Sequence, residues 1–276
     1  MDEKGTIFPV EDSEWFTRHR PTGVERRDLT IDVFGRPLTL TVGYEEGPAR
    51  LADTVPAARA ICDTLCAAVA EHLAAEGRPV SCRKGCSACC GYLVSVSAPE
   101  IYALQQMMTQ LPAGECRRLL ENCITTATQI LDKDLLHKHH IGNDAQSADI
   151  SAWYQELNVK CPFLAGQICR IYDQRPLACR EFMVTSAPAD CRTDTADEPE
   201  VVNLPFSVLE ALARLAAALE QTEVQADMLP LALACSDRYY RRSQQTWPAS
   251  ELVRRFLAIL QRMAARARTD AAMQAG

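Results

Sequence analysis

The chain has 276 residues, of which 47% are hydrophobic and 24% are charged, so it is long enough to bury a core as one domain or as a domain with an appendage. Its formal net charge of −7 at pH 7 argues against a nucleic-acid-binding protein, which would need a basic face. The N-terminus has no apolar stretch typical of a secretory signal, and the most apolar segment, 209–219, carries Glu210 and Arg214 and falls short of a membrane span. We therefore expect a cytoplasmic protein with neither nucleic-acid nor membrane partners. In that reducing compartment the 13 cysteines are expected to be metal ligands or free thiols, not disulfides.

The first part of the chain is predicted to be an arm followed by a β-hairpin. Residues 1–27 are polar and aperiodic, which indicates a surface arm. Apolar side chains then alternate in the segments 29–33 and 38–44, and Gly35-Arg36-Pro37 between them is typical of a turn. Because a two-stranded hairpin is only marginally stable by itself, we expect it to pack against a larger part of the protein.

Helical periodicity dominates the rest of the chain outside the cysteine-rich segments. A helix is predicted from about Asp53 to Glu76, and Ser97-Ala98-Pro99-Glu100 fits a capping box that opens a second helix. Further helical patterns occupy the segments 114–140, 147–157, 206–219, 228–235 and 252–263. The fold class is therefore mainly α: a helical protein with irregular cysteine-rich metal-binding loops and a small N-terminal β-hairpin. The predicted parts are the arm and hairpin (1–48), a cysteine-cluster metal-binding domain (49–200) and a C-terminal helical segment packed on it (201–276).

Some cysteines fall on predicted helices. Cys62 and Cys66 lie four residues apart and therefore on one face of the first helix. We interpret them as core cysteines, with metal ligation as the alternative, because free cysteine is among the most buried residue types. Cys116 and Cys123, seven residues apart on the helix predicted over 114–140, are assigned to packing for the same reason.

A first cysteine segment carries four thiols within nine residues: Cys82-Arg83-Lys84-Gly85-Cys86-Ser87-Ala88-Cys89-Cys90. Thiolates are strong ligands for zinc and for iron–sulfur clusters, and several from one short segment lower the entropic cost of assembling a site. A buried patch of inert cysteines is the competing interpretation, but core packing does not require four thiols so close together. The spacing therefore predicts a metal site. The adjacent Cys89 and Cys90 are expected to point in different directions on a regular backbone, so that both do not reach one ion comfortably.

A second cysteine segment, residues 161–191, holds Cys161, Cys169, Cys179 and Cys191. Its prolines and Gly166 predict loops and short turns instead of one long helix. The wide spacing of these thiols is weak evidence by itself. Beside the first cysteine segment, however, they are expected to complete the same metal site.

The two segments together carry the pattern C-x3-C-x2-C-C, then C-P-F-L, then C-x-I-Y-x2-R-P-x2-C-R-x-F. This pattern resembles the YkgJ-type family, named for a zinc- or iron-chelating cysteine cluster, and is distantly similar to flagellin lysine methylases. The matching residues span about 82–182 and are Cys82, Cys86, Cys89, Cys90, Cys161, Pro162, Phe163, Leu164, Cys169, Ile171, Tyr172, Arg175, Pro176, Cys179, Arg180 and Phe182. The resemblance implies binding of a metal or cluster and leaves the question of catalysis open.

The thiols outnumber the ligands of one metal ion. The predicted metal ligands are Cys82, Cys86, Cys89, Cys90, Cys161, Cys169, Cys179 and Cys191. A tetrahedral zinc takes four ligands, and a 4Fe–4S cluster also uses four cysteines. The alternatives are therefore a polynuclear site, two neighbouring sites, or one four-thiolate site with spare cysteines.

Three residues of the shared motif are predicted to bind the cofactor. A centre held by four thiolates is anionic, so Arg175 and Arg180 are expected to stabilise its charge or to bind another anion. Tyr172 is expected to donate a hydrogen bond to a cysteine sulfur or to face a substrate.

Three classes of function follow from these features. The first is binding: the protein holds an iron–sulfur cluster or zinc through its clustered cysteines. The second is enzymatic: the likeness to flagellin lysine methylases suggests cluster-dependent modification of a protein or small molecule, with S-adenosylmethionine as a candidate cofactor. The third is redox sensing, in which oxidation of the thiols releases the metal and changes partner binding.

Overall fold

The computed structural model describes residues 4–9, 23–137, 147–193, 198–234 and 236–274. The N-terminal part is a three-stranded antiparallel sheet in the order β1-β3-β2. Its strands are β1 (Thr6–Pro9), β2 (Glu25–Val33) and β3 (Arg36–Glu45). Strands β2 and β3 form the predicted hairpin, in which Leu29 lies opposite Leu40. The turn between them is formed by Phe34 and Gly35, which both have positive φ (53° and 77°).

Strand β1 corrects one expectation. Residues 1–27 were predicted to be a polar arm, but Ile7 and Phe8 are only 4% and 1% exposed and pair with the hairpin. The Phe8 ring lies over Gly43, where a Cβ atom would stand 2.3 Å from ring atom Cε2. The strand has only four residues, which is too short for an alternating pattern to be recognised.

Helices make up most of the remaining described chain, as predicted. They are α1 (Val55–Ala75), α2 (Ala98–Thr109), α3 (Ala113–His137), α4 (Ser147–Glu156), α5 (Leu177–Glu181), α6 (Val208–Glu220), α7 (Leu229–Ala234), α8 (Tyr240–Ser243) and α9 (Ala249–Gln274). Three short antiparallel strand pairs lie between the helices. They are β4 (Pro48–Ala49) with β9 (Trp247–Pro248), β5 (Ser95–Ser97) with β8 (Ala226–Met228), and β6 (Leu164–Ala165) with β7 (Ile168–Cys169). The capping box predicted at Ser97 and Glu100 opens α2.

One hydrophobic core joins these elements. The apolar face of the sheet packs against α1 and α9, and α9 also packs against α6. The hairpin therefore does rest on a larger part of the protein, as expected. Ile130 of α3 forms a second, smaller cluster with Trp153, Tyr154 and Leu157 of the α4 region. Among the described residues, no helix combines the length and apolar character needed to cross a membrane.

Candidate metal centre

The first cysteine segment is a succession of tight turns. Gly85 has a φ of +91°, which side chains with a Cβ rarely adopt, and it lets the Cys86 amide donate to the Arg83 carbonyl at 3.1 Å. The Cys90 amide then donates to the Ser87 carbonyl at 3.0 Å at the start of a 3-10 helix, Ala88–Gly91. The turns therefore fold this segment into a compact loop.

The second cysteine segment forms short elements, as predicted from its prolines and Gly166. The strands β6 and β7 form a hairpin in which Leu164 lies opposite Cys169, so the chain returns beside Cys161. The Cys161 amide donates to the Cys90 carbonyl at 2.8 Å. This hydrogen bond joins the two cysteine segments directly.

Cys179 lies on α5, whose first turn is held by a buried carboxylate. Glu100 is 0% exposed, and its Oε1 accepts a hydrogen bond from the Leu177 amide at 2.7 Å. Its Oε2 accepts from the amide and the hydroxyl of Ser97, at 3.1 and 2.8 Å. The same side chain therefore caps α2 and positions the helix that carries Cys179.

These elements enclose a cavity of about 410 Å³, which we call the cysteine cavity. The cysteines that line it are Cys66, Cys82, Cys86, Cys89, Cys90, Cys161, Cys169 and Cys179. The three residues predicted to bind a cofactor, Tyr172, Arg175 and Arg180, line it as well. Residues far apart in the chain, from α1 to α5, therefore share one cavity.

Cys191 lies beside the cysteine cavity but not in its described lining. It is 4% exposed, on the 3-10 helix Pro188–Cys191, which packs against the 3-10 helix of the first cysteine segment. Burial, together with the charges of Cys89, Cys82 and Cys86, raises the pKa of its thiol to about 11. Its neighbours are therefore the thiols of the first cysteine segment.

Cys66 is a cavity residue that the sequence did not distinguish from a core cysteine. Both Cys62 and Cys66 are buried in the core, as predicted, and their sulfurs lie 3.9 Å apart. Cys66 also donates to the Arg180 carbonyl at 3.6 Å and borders the cysteine cavity. Only the packing of α1 against α5 brings it there, and no sequence spacing signals that contact.

The adjacent Cys89 and Cys90 lie on the 3-10 helix of the first cysteine segment. Both line the cysteine cavity, and each also reaches a different adjoining cleft. Interaction with the Cys90 thiol lowers the pKa of Cys89 to about 7, with a smaller contribution from Arg175, whereas the pKa of Cys90 is raised.

Arg175 supplies positive charge inside the cavity. Its guanidinium lies 4.2 Å from the centre of the Tyr172 ring, and Lys84 lies 5.0 Å from the same ring. Arg175 opposes the rise in the pKa of Cys82 and of Cys169, which burial causes. Burial also raises the pKa of Cys161 to about 11 and that of Cys179 well above its ordinary value. A metal would have to displace protons from these thiols.

Two open clefts share walls with the cysteine cavity. The first, which we call the aromatic cleft, has a volume of about 650 Å³ and reaches Cys89 and Cys179. It is lined by Tyr92 and Phe182, whose rings meet edge to face with centroids 5.4 Å apart. The second, the basic cleft, has a volume of about 680 Å³ and reaches Cys86 and Cys90.

The cysteine side chains of the cavity are chemically suited to a thiophilic metal. In their present positions they would have to move to coordinate one. Soft thiolate ligands select zinc, copper(I) and iron–sulfur clusters. In the described part of the chain, no three Cys, His, Asp or Glu side chains are placed to hold a metal ion as they stand. Since most of these cysteines lie on turns and short elements, changes of side-chain rotamer in the cavity are the expected adjustment.

One comparison with known proteins supports a metal-binding role for the two cysteine segments. Residues 81–201 match a family model, CxxCxxCC, that is described as a putative zinc- or iron-chelating domain. No curated protein and no solved structure matches the chain significantly. The match includes both cysteine segments, confirms the family resemblance predicted from their motifs and supports metal binding through the cysteines. Residues 81–201 of this chain are thus similar to the domains of the CxxCxxCC family.

Proposed function

We propose that this chain is a metal-binding protein whose clustered cysteines hold iron–sulfur clusters, such as 4Fe–4S, or zinc. The observation that carries the proposal is the cysteine cavity, where seven of the eight cysteines predicted as ligands meet. Packing alone does not explain such a concentration of thiols from separate segments. The family match of residues 81–201 supports the same conclusion.

The eight predicted ligands are enough for two adjacent four-thiolate sites. Cys191 packs beside the first cysteine segment, and the charges of Cys89, Cys82 and Cys86 add to the raised pKa of its thiol, so we assign these four residues to one site. The charges of Cys161, Cys89 and Cys169 add to the rise that burial causes in the pKa of Cys179, so Cys89 is close to the other thiols as well. The second proposed site takes the remaining predicted ligands, Cys90, Cys161, Cys169 and Cys179. Four thiolates suit either a tetrahedral zinc or a 4Fe–4S cluster.

The positive residues would stabilise such centres. Four thiolates around a zinc ion or a doubly positive cluster leave a net negative charge, which hydrogen bonds and nearby cations offset. Arg175 contributes its charge from inside the cysteine cavity. Tyr172 packs against Arg175, and its proposed role is to donate a hydrogen bond to a cysteine sulfur or to face a substrate.

The test is anaerobic purification followed by measurement of iron, zinc and acid-labile sulfide and a visible absorption spectrum. A brown protein with matched iron and sulfide supports iron–sulfur clusters. A colourless protein with two zinc ions supports two zinc sites. A preparation that retains neither metal, even after incubation with iron and sulfide or with zinc under reducing conditions, contradicts the proposal.

A cluster-dependent enzyme is the second candidate function, and S-adenosylmethionine is its candidate cofactor. The aromatic and basic clefts favour it, because both reach cysteines of the cavity. A purely structural metal site is closed, whereas a catalytic one leaves a position open to substrate. Binding of S-adenosylmethionine that depends on the metal, measured by calorimetry, supports this candidate. Its absence favours a binding or storage role in the cytoplasm.

A further inference from the structure

The basic cleft lies on the outer side of the two cysteine segments. The cations that line it are Arg83, Lys160 and Arg192, from three separate parts of the chain. Asn158, Gln167 and Thr193 add polar groups to the same wall. With a volume of about 680 Å³, the cleft falls in the size range of small-molecule sites in proteins.

The charge of this cleft is opposite to that of the protein. The chain carries a formal net charge of −7, yet the described residues that line the cleft include three cations and no aspartate or glutamate. Neither the Arg83 guanidinium nor the Lys160 ammonium has a side-chain partner among the residues described. Positive side chains gathered in a concave surface attract and retain anions.

These cations are distinct from the one that acts on the cavity thiols. Arg175 lines the cysteine cavity and lowers the pKa of Cys89. Arg83 borders both the cavity and the cleft, but Lys160 and Arg192 line the basic cleft and not the cysteine cavity. Lys160 thus lines the basic cleft alone of the three spaces, whereas Arg83 also borders the cysteine cavity and Arg192 also borders the aromatic cleft.

We infer that the basic cleft binds a small molecule that carries phosphate or carboxylate groups. Arginine and lysine bind such groups through charge-assisted hydrogen bonds, and arginine can do so with two parallel bonds. Because Cys86 and Cys90 form one wall of the cleft, the bound molecule lies next to the proposed metal centre. The inference concerns the cleft and holds whichever metal the cysteines bind.

The test is calorimetric titration of the anaerobically purified full-length protein with inorganic pyrophosphate and, separately, with citrate. Binding of pyrophosphate alone identifies a phosphate-bearing ligand, binding of citrate alone a carboxylate-bearing one, and binding of both the shared anionic chemistry. Arg83→Gln and Lys160→Gln are each expected to weaken binding about tenfold, which corresponds to one charge-assisted hydrogen bond. Raising the salt concentration is expected to weaken it further.

Arg78→Gln is the matched control, because Arg78 is exposed, near the same segment and outside the described lining of the cleft. It removes the same charge and is expected to leave anion affinity unchanged. Metal content is measured on every variant, which separates failure of the cleft from failure of the metal centre. The inference is overturned if neither anion binds, or if Arg78→Gln weakens binding as much as Arg83→Gln does.

Discussion

Arg180 and Asp63, 117 residues apart in the chain, form an ion pair in which Nη1 of Arg180 donates to Oδ1 of Asp63 at 2.7 Å. The pair joins α5, which carries Cys179, to α1, which carries Cys66. Arg180 also donates from Nη2 to the Asp173 carbonyl at 2.6 Å and from Nε to the Arg175 carbonyl at 3.2 Å. Its guanidinium therefore holds the loop between Cys169 and Cys179 against α1.

Arg180→Lys is expected to destabilise this arrangement. A lysine has one ammonium group in place of the planar fork, so it cannot reach Asp63 and both loop carbonyls together. The free energy of unfolding should fall by about 2 kcal/mol, the value of a lost hydrogen bond to a charged group, as measured by urea denaturation. Arg170→Lys, at an exposed position beside Cys169, should change it by less than about 0.5 kcal/mol. Equal effects of the two substitutions would contradict the role assigned to Arg180.

Single cysteine substitutions test the two proposed four-thiolate sites. Cys179→Ser and Cys191→Ser remove one ligand from different sites, so each should lose about half of the bound metal, because a site with three thiolates binds it more weakly. Metal analysis of the purified variants provides the measurement. Cys116→Ser, at a half-buried cysteine on α3 outside the cavity lining, should keep all of it. Complete loss of metal from both site variants would instead indicate one polynuclear centre.

Thiol alkylation should separate the cavity cysteines from the core cysteines. Cys62 and Cys123 are 0% exposed; the hydrogen bond with Cys66 and burial raise the pKa of Cys62, and burial raises that of Cys123, so iodoacetamide should modify neither in the folded protein. Cys86 should be protected while metal is bound and should react after chelation, because ligation occupies the thiolate. Peptide mapping by mass spectrometry distinguishes these sites. Reaction of Cys86 at the same rate with and without metal would argue against ligation.

Glu100→Ala should reduce both stability and metal content. The substitution leaves the amides of Ser97 and Leu177 without their acceptor, and it removes a carboxylate whose charge stabilises the half-buried Arg59 guanidinium. An unsatisfied buried group costs about 1–3 kcal/mol, so we expect a loss of roughly 3 kcal/mol in thermal or urea unfolding. Glu251→Ala, which removes a half-buried carboxylate paired with Arg254 and Arg255 in the first turn of α9, is the control and should cost less. Unchanged stability of the Glu100 variant would show that α5 is positioned by other contacts.

Much of this protein follows from local sequence. The repeating apolar positions of α1, the capping box at Ser97 and Glu100, and the alternating residues of β2 and β3 are patterns of near neighbours, so they predict these elements without reference to the rest of the chain. The spacing of Cys82, Cys86, Cys89 and Cys90 likewise places several ligands on one short segment, and the family match confirms that motif.

Other features depend on contacts between distant segments. The strand Thr6–Pro9, the entry of Cys66 into the cysteine cavity and the position of Cys191 beside the first cysteine segment arise from packing that no local pattern records. The same holds for the basic cleft, whose cations come from residues 83, 160 and 192. Sequence alone determined the secondary structure of the main elements and the family motif, because both depend on neighbouring residues. Only the tertiary structure decided which thiols and charges meet, because burial of the apolar faces of α1, α6 and α9 brings those distant segments together.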